Sequence, residues 1–197
     1  ITVANTLTVS AGDTIPVSAI VQGAGRDFET GDDDYMTGVT NSAVDLGSDT
    51  SFTLMCWANM ESGSVFKQLV RKPGSVSVSV SSGNLLQFTI NSVATNRQLI
   101  GQNIGIGTNY MMAFVHNATT DVMQIYTFEP AGPRFSSQSY TEGTTNTGSA
   151  FWVSAIDTDT TVNWDGVIGH IGIWHRAVSS NELSTLYNGG SGTAWPY

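Results

Sequence analysis

The chain has one cysteine, few positive charges and no long apolar run, and each shortage closes off a class of protein. With Cys56 as its lone cysteine, an intrachain disulfide is impossible. Cys56 sits in the apolar stretch Phe52-Thr-Leu-Met-Cys-Trp-Ala58. A structural thiol is expected there, because a nucleophilic one needs an electropositive, accessible setting. Seven Lys and Arg stand against sixteen Asp and Glu, a net charge of −9. No basic cluster exists to neutralise phosphates, so nucleic acid is not an expected partner. An acidic surface favours solubility and attracts divalent cations. No apolar run approaches the roughly 20 residues that span a bilayer, and no membrane insertion is expected. No secretory leader is visible and the first residue is Ile1 rather than Met, which reads as a chain processed or cut from a longer one.

The groups that would announce catalysis are also scarce. The glutamates are Glu29, Glu61, Glu129, Glu142 and Glu182, and none forms the Glu-x-Asp-x-Glu spacing that sets two carboxylates on one strand face. Retaining glycoside hydrolysis needs such a pair about 5–5.5 Å apart. His116, His170 and His175 include no His-Glu-x-x-His zinc pattern. His170 and His175, five apart, are expected on opposite faces of one strand. No Gly-x-Ser-x-Gly elbow is present. No catalytic residues are assigned, and the expectation is a protein that is not an enzyme.

What is present is Ser, Thr, Gly, Asn and Val, with only 12% of residues charged. That mix fits many short strands separated by turns, and a chain of this length fits one all-β core. Candidate strands cover residues 51–59, 68–71, 76–80, 85–90, 110–116, 122–128, 150–155 and 167–174. Residues 136–149 are polar and charge-poor, and read as a long loop. Residues 1–25 differ from the rest. Thr6-Leu-Thr-Val-Ser10 alternates as an edge strand does, Pro16 marks a strand start, and Gly23-Ala-Gly25 is a joint. This segment either completes the domain's own sheets or serves as a strand-forming arm that docks on another molecule. The domain proper is expected over residues 26–197.

The end of the chain is the most informative stretch. Within Trp164-Asp-Gly-Val-Ile-Gly-His-Ile-Gly-Ile-Trp174, residues 167–174 read as a strand. Ser179 or Ser180 caps a following helix, with Glu182 at its positive end and Leu183 and Leu186 on one face. Asn188-Gly189-Gly190 stops it. This ending, together with Phe28-Glu-Thr-Gly-Asp-Asp-Asp-Tyr-Met36 and Ser51-Phe-Thr-Leu-Met-Cys-Trp-Ala58, resembles the ordered blocks of laminin-G-like, concanavalin-A-like lectin and glucanase domains. The resemblance covers about residues 26–197. It departs at Asn109-Tyr-Met-Met-Ala-Phe-Val-His116, where the family carries a Trp-His-His-type segment.

The resemblance implies an all-β jelly-roll sandwich of two antiparallel sheets with one short C-terminal helix, a fold used more for binding than for catalysis. It implies a rim where first and last strands meet and where Ca²⁺ is often held. Asp32, Asp33 and Asp34 with Asp165 are the expected ligands there, although both runs are also ordinary turn chemistry. Asp157 and Asp159 form a second acidic run with the same two readings. Sugars are held by aromatic faces and polar neighbours. Trp164, beside polar residues, is the first stacking candidate and Tyr140 the second, each against a packing role. Trp57 and Trp174 are expected in the core. The expected function is extracellular recognition of glycans or cell-surface polysaccharide, assisted by Ca²⁺. The alternative is a decoration or fibre-associated protein of a phage virion or cell-surface array, partnered with other subunits through residues 1–25.

Overall fold

The computed structural model describes residues 25–29, 34–38, 46, 50–91, 96–141, 148–155 and 162–192. Residues 1–24 of the expected arm, Asp32, Asp33 and the acidic run at 157–161 lie outside the described residues.

Twelve strands and one α-helix are described. In chain order they are β1 (Arg26–Phe28), β2 (Met36–Thr37), β3 (Phe52–Met60), β4 (Lys67–Lys72), β5 (Val76–Val80), β6 (Leu85–Asn91), β7 (Asn96–Asn103), β8 (Asn109–Asn117), β9 (Val122–Glu129), β10 (Gly132–Ser139), β11 (Trp152–Val153), β12 (Gly166–Trp174) and α1 (Ser180–Tyr187). They form two six-stranded sheets, ordered β1-β12-β3-β8-β9-β10 and β2-β11-β4-β5-β6-β7. Paired strands within each sheet run antiparallel. This is the sandwich with one C-terminal helix that the resemblance implied.

Alternation builds the core. In β5, Val76, Val78 and Val80 point inward, while β6 contributes Leu86, Phe88 and Ile90. They meet Leu54, Cys56, Phe114 and Ile125 of the first sheet in one cluster. Phe88 joins the sheets, with Phe114 at 5.7 Å and Phe52 edge-on at 6.2 Å. Cys56 is buried there as expected, and burial pushes its thiol up to about 12.

Helix α1 covers the outer face of the first sheet. Leu183 and Leu186 pack on Met55, Met111, Ala113, Phe128 and Trp174. Ser179 is the N-cap: its Oγ accepts from the Glu182 N–H, and the Glu182 carboxylate accepts from the Ser179 N–H at 2.8 Å. Buried Thr53 ties the helix's approach to β3, donating to the Arg176 carbonyl and accepting from the Val178 N–H.

Three departures from the sequence reading have local causes. The expected loop at 136–149 begins as strand, because β10 continues to Ser139 in unbroken register with β9. Its Ser and Gln residues carry no β signal, and an edge strand needs little apolar content. β7 is likewise a strand where the sequence predicts none: apart from Leu99, Ile100 and Gly101 it is polar, and pairing with β6 makes it a strand. In β12 a bulge between Gly169 and Gly172 puts His170 at φ 44°. The strand ends at Trp174, so a simple two-residue alternation does not relate His170 to His175.

Candidate functional site

The outer face of the second sheet carries an unbroken cross-strand row. Thr37 pairs with Trp152, Trp152 with Arg71, Arg71 with Ser77, Ser77 with Thr89, and Thr89 with Gln98. One residue from each of the six strands therefore points the same way. The inward valines of β5 enforce this, since a residue beside an inward one must face out. Among the described residues no helix lies over this face, unlike the first sheet. The row offers an indole, a guanidinium, an amide and hydroxyls, all half-buried or exposed.

Hydrogen bonds fix several of these groups. Gln98 Nε2 donates to Thr89 Oγ1 at 3.4 Å, and Ser77 Oγ donates to Gln68 Oε1 at 3.2 Å. One row over, Ser79 Oγ donates to Gln87 Oε1 at 3.2 Å. Gln68 is buried at the β4 bulge, where its Nε2 donates to the carbonyls of Val70 and Val78 at 2.7 and 2.6 Å. At the row's other end the Tyr35 ring lies 5.3 Å from that of Trp152, tilted by 41°. Tyr35 is 37% exposed. An aromatic pair of one exposed and one half-buried ring, beside fixed amides and hydroxyls, can stack on a sugar ring and hydrogen-bond its hydroxyls.

The two residues expected to stack on sugar are elsewhere. Trp164 is 0% exposed, in the core between the sheets. Its Nε1 donates to the Asn59 carbonyl at 3.1 Å, and its N–H donates to Ser154 Oγ. Tyr140 is also buried, with its ring 5.5 Å from His116. Neither presents a face to solvent: Tyr140 turns inward between exposed Ser139 and Thr141, and Trp164 is buried together with Asn163 beside it. Trp174 is core as expected, whereas Trp57 is only partly buried and stacks on Tyr187 at 5.6 Å.

Of the expected acidic rim, Asp34 and Asp165 are among the described residues. Asp34 pairs with Arg26 at 3.0 Å, and its carbonyl accepts from Asn163 Nδ2. Asp165 acts on buried Lys67: burial pushes the Lys67 ammonium below its usual value, and the Asp165 charge opposes that. Among the described residues, the carboxylates that gather are Asp27, Glu29 and Glu61, whose oxygens lie within 4.8 Å of one another and are exposed. They surround Gly166, which pairs with Phe28 on one side and Met60 on the other. Gly166 has φ +119°, and a Cβ there would run into the Asn59 carbonyl and the Glu61 N–H. The glycine thus allows the close approach that brings Glu61 to β1. Three carboxylates of this kind suit a hard divalent cation completed by water. Asp27 and Glu29, two apart in an extended segment, share a face, which was the readable signal. The contribution of Glu61 depends on long-range pairing.

A family model described as the concanavalin A-like lectin/glucanases superfamily matches residues 30–184. No curated protein sequence matches. Solved structures are similar in fold. A sialidase from Streptococcus pneumoniae is 13% identical with a TM-score of 0.62, over 82% of this chain and 27% of that one. The CBM40 of a Ruminococcus gnavus IT-sialidase, solved with α2,3-sialyllactose, is 8% identical with a TM-score of 0.54, over 68% and 80%. Domain 4 of an extracellular arabinanase from Geobacillus stearothermophilus, solved with arabinotriose, is 16% identical with a TM-score of 0.51, over 70% and 66%. The model match over most of the length, on two six-stranded antiparallel sheets, places the chain in the concanavalin A-like lectin/glucanase superfamily.

Proposed function

We propose that this domain is a non-catalytic carbohydrate-recognition module that acts outside the cell and binds glycan across the open face of its second sheet. The observation that carries this reading is the six-strand row from Thr37 to Gln98, with Tyr35 and Trp152 at one end. Gln98 is held on Thr89, and Ser77 on buried Gln68, so less side-chain entropy is lost when sugar hydroxyls dock. The sugar-bound relatives of the same fold, one with arabinotriose and one with sialyllactose, support the class of ligand. The exposed carboxylate cluster suits cation binding better than hydrolysis. It sits at the edge of the other sheet, and among the described residues no element encloses a substrate between an acid and a base.

The rim cluster of Asp27, Glu29 and Glu61 would hold Ca²⁺ and brace the ends of β1 and β3. Calorimetric titration with Ca²⁺ is expected to give one weak site that Glu61→Gln removes. Unchanged heat in that variant would assign the cation elsewhere.

A glycan-array screen with and without chelator tests the main reading. The wild-type chain is expected to bind oligosaccharides and to release no reducing sugar from them. Trp152→Ala is expected to weaken binding by about 1–3 kcal/mol, the usual worth of a lost stacking anchor. Equal binding by wild type and Trp152→Ala would remove the open face from consideration.

A further inference from the structure

The seven cations of this chain are almost all committed. Arg26 pairs with Asp34, Arg134 with Glu129 and Arg176 with Glu182. Lys67 and Lys72 are buried, and Lys72 Nζ donates to the Ser149 carbonyl at 3.1 Å. Arg97 is exposed on the edge strand β7, on the opposite parity from the row. Arg71 remains. It is half-buried near the middle of the open face, paired in register with Trp152 on one side and Ser77 on the other. Among the described residues its guanidinium forms neither an ion pair nor a hydrogen bond.

That is an unusual place to leave a guanidinium. In a chain of net charge −9 a carboxylate partner is easily supplied, yet among the described residues none pairs with Arg71. A planar fork of donors, partly desolvated and without an acceptor, is matched by a carboxylate that it can grip with two parallel bonds. The negative charge of the whole molecule sets a second condition. It repels densely charged polyanions, while one carboxylate within a Debye length of Arg71 gains more than it loses.

We propose that Arg71 makes the open face selective for glycans bearing a single carboxylated sugar, whose carboxylate takes the guanidinium while a neighbouring ring lies against Trp152. This rests on the open face being the glycan-binding surface. The shared chemistry is a sugar carboxylate, supplied by either a uronic acid or a sialic acid.

The test measures affinities of the whole chain for matched probes. One pair is a glucuronic-acid-terminated disaccharide and its carboxyl-reduced form; the other is sialyllactose and lactose. The acidic member of at least one pair is expected to bind about tenfold tighter or more, as for a hydrogen bond to a charged group, and the responding pair names the source of the carboxylate. Added salt should narrow the preference. Arg71→Gln should abolish it, so that the acidic and neutral members of each pair bind alike, with the melting temperature in place, and Arg71→Lys should restore part of it. Equal affinity for acidic and neutral members, unchanged by Arg71→Gln, would overturn the proposal and leave the glycan reading standing. Tight binding of heparin that is indifferent to Arg71 would also overturn it. Failure of every probe, neutral members included, would take down both readings.

Discussion

Trp152 and Trp164 carry the same side chain in opposite surroundings. Trp164 is locked in the core by Nε1 to the Asn59 carbonyl, while Trp152 stands half-buried on a sheet face against Tyr35. Trp164→Ala is expected to cost about 3–5 kcal/mol of stability, as large-to-small core changes do. Trp152→Ala should cost no more than about 1.5 kcal/mol, roughly the worth of one aromatic contact. Chemical denaturation of both variants checks the contrast, and similar losses would contradict it. The sequence neighbours of Trp164 pointed the wrong way because Asn163 and Asp165 are polar. Polarity at adjacent positions says nothing about a ring fixed by partners distant in sequence. Cys56 was legible for the converse reason, since its own strand supplies the apolar neighbours. With its thiol raised to about 12 by burial, it should resist a thiol reagent in the folded protein and react at the rate of unfolding. Rapid native-state labelling would show that β3 is not packed as described.

The element with the clearest local signature is α1. Its cap, its acidic first turn and its two leucines were all readable, because helix signals are confined to one turn. The Glu182 carboxyl is held down to about 2 by Arg176 first and by the Ser179 N–H and hydroxyl next, from an ordinary value of 4.5. A depressed carboxylate stabilises the fold above its unfolded value and loses that contribution as pH falls from about 4.5 toward 2. Glu182 is exposed, so solvent screens much of the effect. Melting temperature plotted against pH should fall less steeply across that window in Glu182→Gln than in wild type. Parallel curves would remove the carboxylate from the account. Ser179→Ala should separately cost about 1 kcal/mol through the lost cap. The strands divide by the same logic. Those with inward Val, Leu, Ile or Phe at every second place were legible, whereas β7 and β10 take their form from neighbours and left little mark in the residues themselves.

At the scale of the molecule, two sheets of equal strand number are used differently. The first spends its outer face on α1 and an aromatic cluster. The second leaves its outer face to a row that crosses all six strands. The sandwich itself was legible from alternation and from three ordered sequence blocks. The row was not, because its members come from positions 37, 71, 77, 89, 98 and 152, and only strand register brings them together. Individually they are ordinary surface residues. The acidic rim was half legible in the same sense. The meeting of first and last strands was expected, but Asp27, Glu29 and Glu61 cluster there. The most direct test of the open-face account is a ¹⁵N chemical-shift titration of the whole chain with an oligosaccharide that it binds. The account predicts that the largest saturable shifts fall on Trp152, Arg71, Ser77, Thr89 and Gln98, including the indole and amide side chains. Shifts confined to the first sheet and α1, with that row unmoved, would contradict it.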